Sequence, residues 1–106
     1  MAKKARVYEV KLISIKRPLE VFRWAADSEY DLRRQLSHES DRKVEIKYLG
    51  FFQFHTMPSQ ETNGVAFRCD ACNITVELGH IGYDYLNRYF SRQASEVQSF
   101  LNEQDN

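Results

Sequence analysis

Val65-Ala-Phe-Arg-Cys69-Asp-Ala-Cys72-Asn-Ile-Thr-Val-Glu-Leu78 is the stretch on which the fold turns. Two runs of alternating apolar and polar residues flank a short polar break, the pattern of an antiparallel hairpin. With Asp70-Ala71 as a two-residue turn, Cys69 pairs with Cys72, Phe67 with Ile74 and Val65 with Val76. All six then share one face, and Arg68, Asn73, Thr75 and Glu77 take the other. The turn lacks the glycine that such a connection prefers.

Upstream of the hairpin, His55 to Gly64 reads as a polar loop, and Val44 to Phe54 as a long strand. Val44, Ile46 and Tyr48 face inward there, Glu45 and Lys47 outward, and Gly50 marks a bulge. Leu49 to Phe54 is apolar on both faces, so a helix or a partner should cover each side. Further upstream, Val7 to Ile15 alternates through Tyr8, Val10 and Leu12 and then slips phase to Ile13 and Ile15, which predicts a bulged strand. Lys16-Arg17-Pro18 breaks it, and Val21 to Ala26 supplies a second strand, closing a hairpin. Ser28-Glu-Tyr-Asp31 is a helix start, with a capping hydroxyl and acids at the positive end of the dipole. Leu32 and Leu36 give that helix, over about residues 29–38, one apolar stripe. From Tyr83 onward the apolar residues Leu86, Tyr89, Phe90, Val97, Phe100 and Leu101 recur at helical spacing, with a break near Ser91 to Ser95.

The order is therefore β-β-α-β-β-β-α. This predicts an α+β fold, a single domain over residues 1–106, with an antiparallel sheet and helices mainly on one face. Residues 1–6 and 102–106 are expected to fray. The inward phases nominate Val10, Leu12, Phe22, Trp24, Leu36, Val44, Ile46, Phe67, Ile74, Val76, Leu86 and Phe90 as the core.

Composition agrees with one globular unit. Of 106 residues, 42% are apolar, and seven Phe, six Tyr and one Trp supply large buried areas without cross-links. No apolar run approaches the roughly 20 residues that a bilayer-spanning helix needs. Met-Ala-Lys-Lys-Ala-Arg runs directly into a strand pattern instead of an apolar leader, so the expected location is cytoplasmic. There the two cysteines would be reduced or metal-bound. The fifteen Lys and Arg balance the fifteen Asp and Glu, but the basic surplus lies before residue 48 and the acidic surplus after it. Such asymmetry suits a basic surface at one end, and equally suits two solvated faces of different sign.

Cys69-Asp-Ala-Cys72 is the one constellation with metal-ligand spacing. His80 and His55 would complete a tetrahedral zinc site, or a homo-oligomer would supply a second cysteine pair. No second Cys-x-x-Cys accompanies it, and free cysteines on an apolar strand face ordinarily pack as small hydrophobes, which is the preferred reading. A thioredoxin-like role is disfavoured because strands, not a helix N-terminus, flank the motif. No nucleophile elbow and no glycine-rich phosphate loop is present, and no catalytic residue is nominated.

Two binding readings follow. The first is a non-catalytic regulatory domain that acts by protein–protein contact and needs no cofactor. Its candidate contacts are Lys3, Lys4, Arg6, Lys16, Arg17, Arg33, Arg34, Phe51 and Tyr83. The second is a nucleic-acid-binding module with a cysteine-based zinc site, in which those cations meet phosphates and Phe51 or Tyr48 stacks on bases. No RNP, KH or helix-turn-helix signature supports the second, and the first is preferred.

Overall fold

A computed structural model of the chain describes residues 3–38 and 41–104. The elements run β1 (Lys4–Ile13), β2 (Glu20–Ala25), α1 (Glu29–Gln35), β3 (Lys43–Gln53), β4 (His55–Pro58), β5 (Val65–Cys69), β6 (Ile74–Val76), α2 (Tyr83–Tyr89) and α3 (Ser91–Gln104). The α+β class and the element order are as the sequence implies, apart from one added strand and the division of the last helix. The strands form two antiparallel sheets of three, ordered β2-β1-β3 and β4-β5-β6.

Strand β1 explains why there are two hydrophobic clusters. Tyr8, Val10 and Leu12 are buried on one face with Leu32 and Leu36 of α1, with Phe22, Trp24, Val44 and Ile46 packed beside them. Ala5 and Val7 are buried in a second cluster with Phe54, Phe67, Leu86, Phe90 and both cysteines. Val7 and Tyr8 are consecutive, so their side chains leave the strand on opposite faces. The phase slip thus falls at Val7/Tyr8 and not at Leu12/Ile13, where the sequence suggests it. Opposite that point, the β1·β3 register jumps from Val7↔Gly50 to Tyr8↔Tyr48, leaving Leu49 as the extra residue. Gly50 takes φ +126° there, which a side chain would resist.

The chain passes from the first sheet to the second through Phe54, whose N–H donates to the Lys3 carbonyl. Of the terminal stretch, residues 4–6 belong to β1, and residues 1–2 lie outside the described residues. Helix α1 is capped as expected, the Ser28 hydroxyl accepting the Asp31 N–H at 3.1 Å. It ends at Gln35, with Leu36 as its C-cap. The predicted loop from His55 begins instead as β4, paired with β5 from His55↔Arg68 to Pro58↔Val65. Helix α3 lies against β4, and Pro58, the last strand residue, terminates the ladder without needing a donor.

In the hairpin, Cys69 pairs with Ile74 and Phe67 with Val76, two residues out from the expected register. A shift of two preserves every face, so the apolar assignment survives the error. The turn spans Asp70 to Asn73, with the Asn73 N–H donating to the Asp70 carbonyl at 3.2 Å and Asn73 in the left-handed region at φ +55°. Asparagine tolerates that conformation better than most residues, which removes the need for glycine.

Helix α2 docks onto β2 through Gly82, its N-cap, at φ +93°. A Cβ built there would meet the Ala25 carbonyl oxygen at 2.3 Å, so only glycine permits this approach. Helix α2 ends at Tyr89, with Phe90 as its C-cap, and α3 starts at Ser91, at the near edge of the expected break. Helix α3 continues to Gln104, past the point where fraying is expected; residues 105–106 lie outside the described residues. Among the described residues no helix is long and apolar enough to cross a membrane.

Candidate protein-binding surface

Each half of the first sheet has one face covered and one face open. Around Leu12 and Val10, α1 covers one face, leaving Glu9, Lys11, Glu45 and Lys47 on the other, a charged and solvated surface. Around Ala5 and Val7 the second cluster covers the opposite face. That leaves open the face carrying Arg6 of β1 and its register partner Phe51 of β3.

The open face is aromatic and cationic, and its groups touch in sequence. The buried Tyr8 ring meets Tyr48 at 5.2 Å between centroids, and Tyr48 meets Phe51 edge-on at 6.4 Å. The Arg6 guanidinium lies over Phe51 at 5.4 Å and also donates to the Asp27 carbonyl at 2.8 Å. The Arg6 N–H donates to the Tyr85 hydroxyl oxygen at 3.2 Å. On the side of the second cluster, Tyr85 meets Tyr89 at 5.9 Å, and the Lys3 ammonium sits 5.3 Å over Tyr89 while donating to its carbonyl. Phe51 is 53% exposed, Tyr48 48% and Tyr89 42%. Burial raises the Tyr85 hydroxyl pKa, partly opposed by the Arg6 N–H. Burial likewise raises Tyr8, opposed by the Arg6 charge. Both phenols therefore stay protonated at neutral pH and act as neutral dipoles beside the two cations.

The nominated contact residues divide sharply. Arg6 and Phe51 come together on this surface, and the exposed Lys4 lies on the Arg6 face by strand alternation across β1; Lys3, one residue earlier, sits over Tyr89 of α2, on the side of the second cluster. Lys16 and Arg17 lie beyond the far end of β1, a ten-residue strand of roughly 33 Å, and Arg17 pairs with Asp41 at 3.5 Å. They do not belong to the same patch. Arg33 and Arg34 are held along α1 by Glu29 at 3.4 Å and Asp31 at 3.3 Å. Tyr83 lies apart from this surface, partly buried against the second cluster. Its hydroxyl donates to the Val65 carbonyl at 2.9 Å and its ring meets Phe67 at 5.4 Å, a core position.

The expected zinc ligands do not converge. Among the described residues no group of three or more His, Cys, Asp or Glu is placed to hold a metal ion. Cys69 and Cys72 are buried and adjacent, the Cys72 N–H donating to Cys69 Sγ at 3.4 Å. Burial, with the neighbouring Cys69, pushes the Cys72 thiol up to about 11. His55 pairs with Arg68 in the ladder, so its side chain leaves the sheet opposite to that of Cys69. Its Nε2 meets Asp70 at 3.4 Å. His80 Nδ1 accepts the Glu77 N–H at 3.3 Å.

Tyr48 completes the surface beside Phe51, as the sequence suggests; Tyr85 and Tyr89, whose contact with each other no sequence spacing discloses, lie on α2 on the side of the second cluster. Their shared signal is weak, because a tyrosine at helical or strand spacing reads equally well as core. No family model, curated protein or solved structure matches this chain.

Proposed function

We propose that this chain is a small, non-catalytic binding domain that regulates or recruits a partner by protein–protein contact at the Tyr48–Phe51–Arg6 surface. The observation that supports this reading most is the exposure of two touching aromatic rings, Tyr48 and Phe51, on one sheet face, with the Arg6 guanidinium over Phe51. Exposed aromatics beside arginine have the composition of interface hot spots. Stacking on Phe51 pre-orders the Arg6 side chain, which lowers the entropy lost on docking.

A second reading, single-stranded nucleic acid, draws on the same cations beside stacked rings. It stands without a zinc site. Salt separates the two, since phosphate neutralisation weakens binding steeply as salt rises and an aromatic-centred protein contact is far less sensitive.

The test is quantitative affinity capture from the native host with three baits: the native chain, Phe51→Ala, and Lys47→Ala on the opposite, charged face. A protein retained by the native and Lys47→Ala baits, lost with Phe51→Ala, and resistant to nuclease and to raised salt is the expected result. Equal capture by all three baits would overturn the surface. Nuclease-sensitive capture would select the second reading.

A further inference from the structure

A second surface, separate from the Phe51 face, lies between the two sheets. Strands β2 and β6 are each outermost in their own sheet. Their free edges line a common groove of about 460 Å³, with Val21 to Trp24 on one side and Ile74 to Val76 on the other. An edge strand presents unpaired main-chain N–H and C=O groups to whatever lies beside it. The β2 ladder to β1 runs without a slip from Glu20 to Ala25, and the strand contains no proline. Its edge is therefore straight, and Val21 is half exposed on it. Natural edges usually carry a bulge, a proline or a lysine to discourage pairing. This one has only Arg23.

The groove also has a chemical bias. Arg23 and His80 are among its lining residues and no carboxylate is. Arg23 reaches only the Cys72 carbonyl, at 3.4 Å, and among the described residues it makes no ion pair. The acids nearest in sequence are engaged elsewhere, Glu20 with Arg42 and Glu77 with the Ser59 hydroxyl. The Glu77 N–H occupies His80 Nδ1, which leaves Nε2 as the donor of the neutral ring.

We propose that the groove receives an extended, acidic strand of a partner protein, added to the free edge of β2. The alternation of β2 specifies its pattern. On one face an added strand meets Phe22 and Trp24, stacked at 4.8 Å, and on the other it meets Val21 and Arg23. The fitting sequence therefore alternates apolar residues toward the rings with carboxylates toward Arg23. Main-chain hydrogen bonds supply the affinity, and the alternation supplies the selection.

The probe is a capped peptide of alternating Val and Asp, titrated into the isotope-labelled chain and followed by amide chemical shifts. The expected result is saturable shifts at Val21 to Trp24 and at Ile74 to Val76. The affinity should fall about tenfold in Arg23→Gln, an exposed substitution that removes the charge without setting a second carboxylate opposite Glu9, with the melting temperature of each variant measured alongside. A Val/Lys peptide should not bind, and N-methylation of the peptide backbone should abolish binding. Four outcomes would overturn the proposal. These are absence of shifts, shifts centred on Phe51, undiminished binding of the N-methylated peptide, and edge shifts that follow protein concentration without peptide. The last would assign the edge to a second copy of the chain. None of them bears on the Phe51 surface, which loses nothing if the groove stays empty.

Discussion

Gly82→Ala measures how firmly the two halves of the molecule depend on one close approach. Gly82 and Gly79 both hold left-handed φ values, +93° and +91°. An alanine at either position costs about 1–2 kcal/mol for the conformation alone. At Gly79 the added methyl has open space, so that is the whole expected loss. At Gly82 the methyl would lie 2.3 Å from the Ala25 carbonyl oxygen, a backbone atom that cannot rotate away. Relieving that contact requires α2 to lift from β2, and overpacking of this kind typically adds about 1–3 kcal/mol. Gly82→Ala should therefore lose about 2–5 kcal/mol. With about 4–8 °C per kcal/mol for a domain of this size, its melting point should fall well below that of Gly79→Ala. Circular dichroism melts and urea titrations of the two variants, side by side with the native chain, give both quantities. Equal losses would refute the reasoning, because they would mean that α2 does not sit against Ala25.

Phe67→Ala and Phe90→Ala, each removing a ring buried in the second cluster, should cost about 3–5 kcal/mol in urea unfolding. Phe51→Ala, at a half-exposed position, should cost under about 1 kcal/mol. The Cys69 and Cys72 thiols should resist a thiol reagent in the native protein and react only on unfolding, since both are shut off from solvent and burial also disfavours the Cys72 thiolate. Stability should fall as pH rises above neutrality. Cys72, Tyr8, Tyr83 and Tyr85 have folded-state pKa values raised by burial, so the unfolded chain loses these protons first. Their contribution is intact below the ordinary thiol and phenol range and is lost as pH climbs through the raised values, for Cys72 up to about 11. A melting temperature that rises over that alkaline interval would contradict the burial of these groups.

Much of the fold was legible because its signals are local. Ser28 announced α1, Gly50 announced the bulge, and alternation placed Phe67 and Val76 on one buried face. All twelve residues nominated as core belong to the two clusters or pack against them. The hairpin register was missed by two because Asp70-Ala71 was read as a two-residue turn, whereas the turn runs from Asp70 to Asn73 and Asn73 supplies the positive φ. Strand β4 was missed because His55-Thr-Met-Pro58 is polar and proline-terminated, yet α3 and β5 hold it in place. The division into two clusters rests on Val7 and Tyr8 facing apart, and no window of alternation reveals that without the partner strand. The candidate surface was legible only in pieces. Arg6 and Phe51 were named, but contact between Arg6 and Tyr85, 79 positions apart, is a product of tertiary packing. Tyr83 lies apart from that surface for a related reason, since its hydroxyl has a partner in Val65 that sequence spacing does not disclose.

The central claim is that the Phe51 face meets another protein, and site-specific photo-crosslinking tests it most directly. A photoreactive phenylalanine analogue replaces Phe51 in one protein and Glu45, on the open charged face, in another. Both are expressed in the native host and irradiated there. The account predicts a discrete protein adduct from position 51 that is absent from position 45, survives nuclease treatment, and disappears when Arg6→Glu is added. No adduct at 51, the same adduct from both positions, or an adduct that nuclease removes would contradict it.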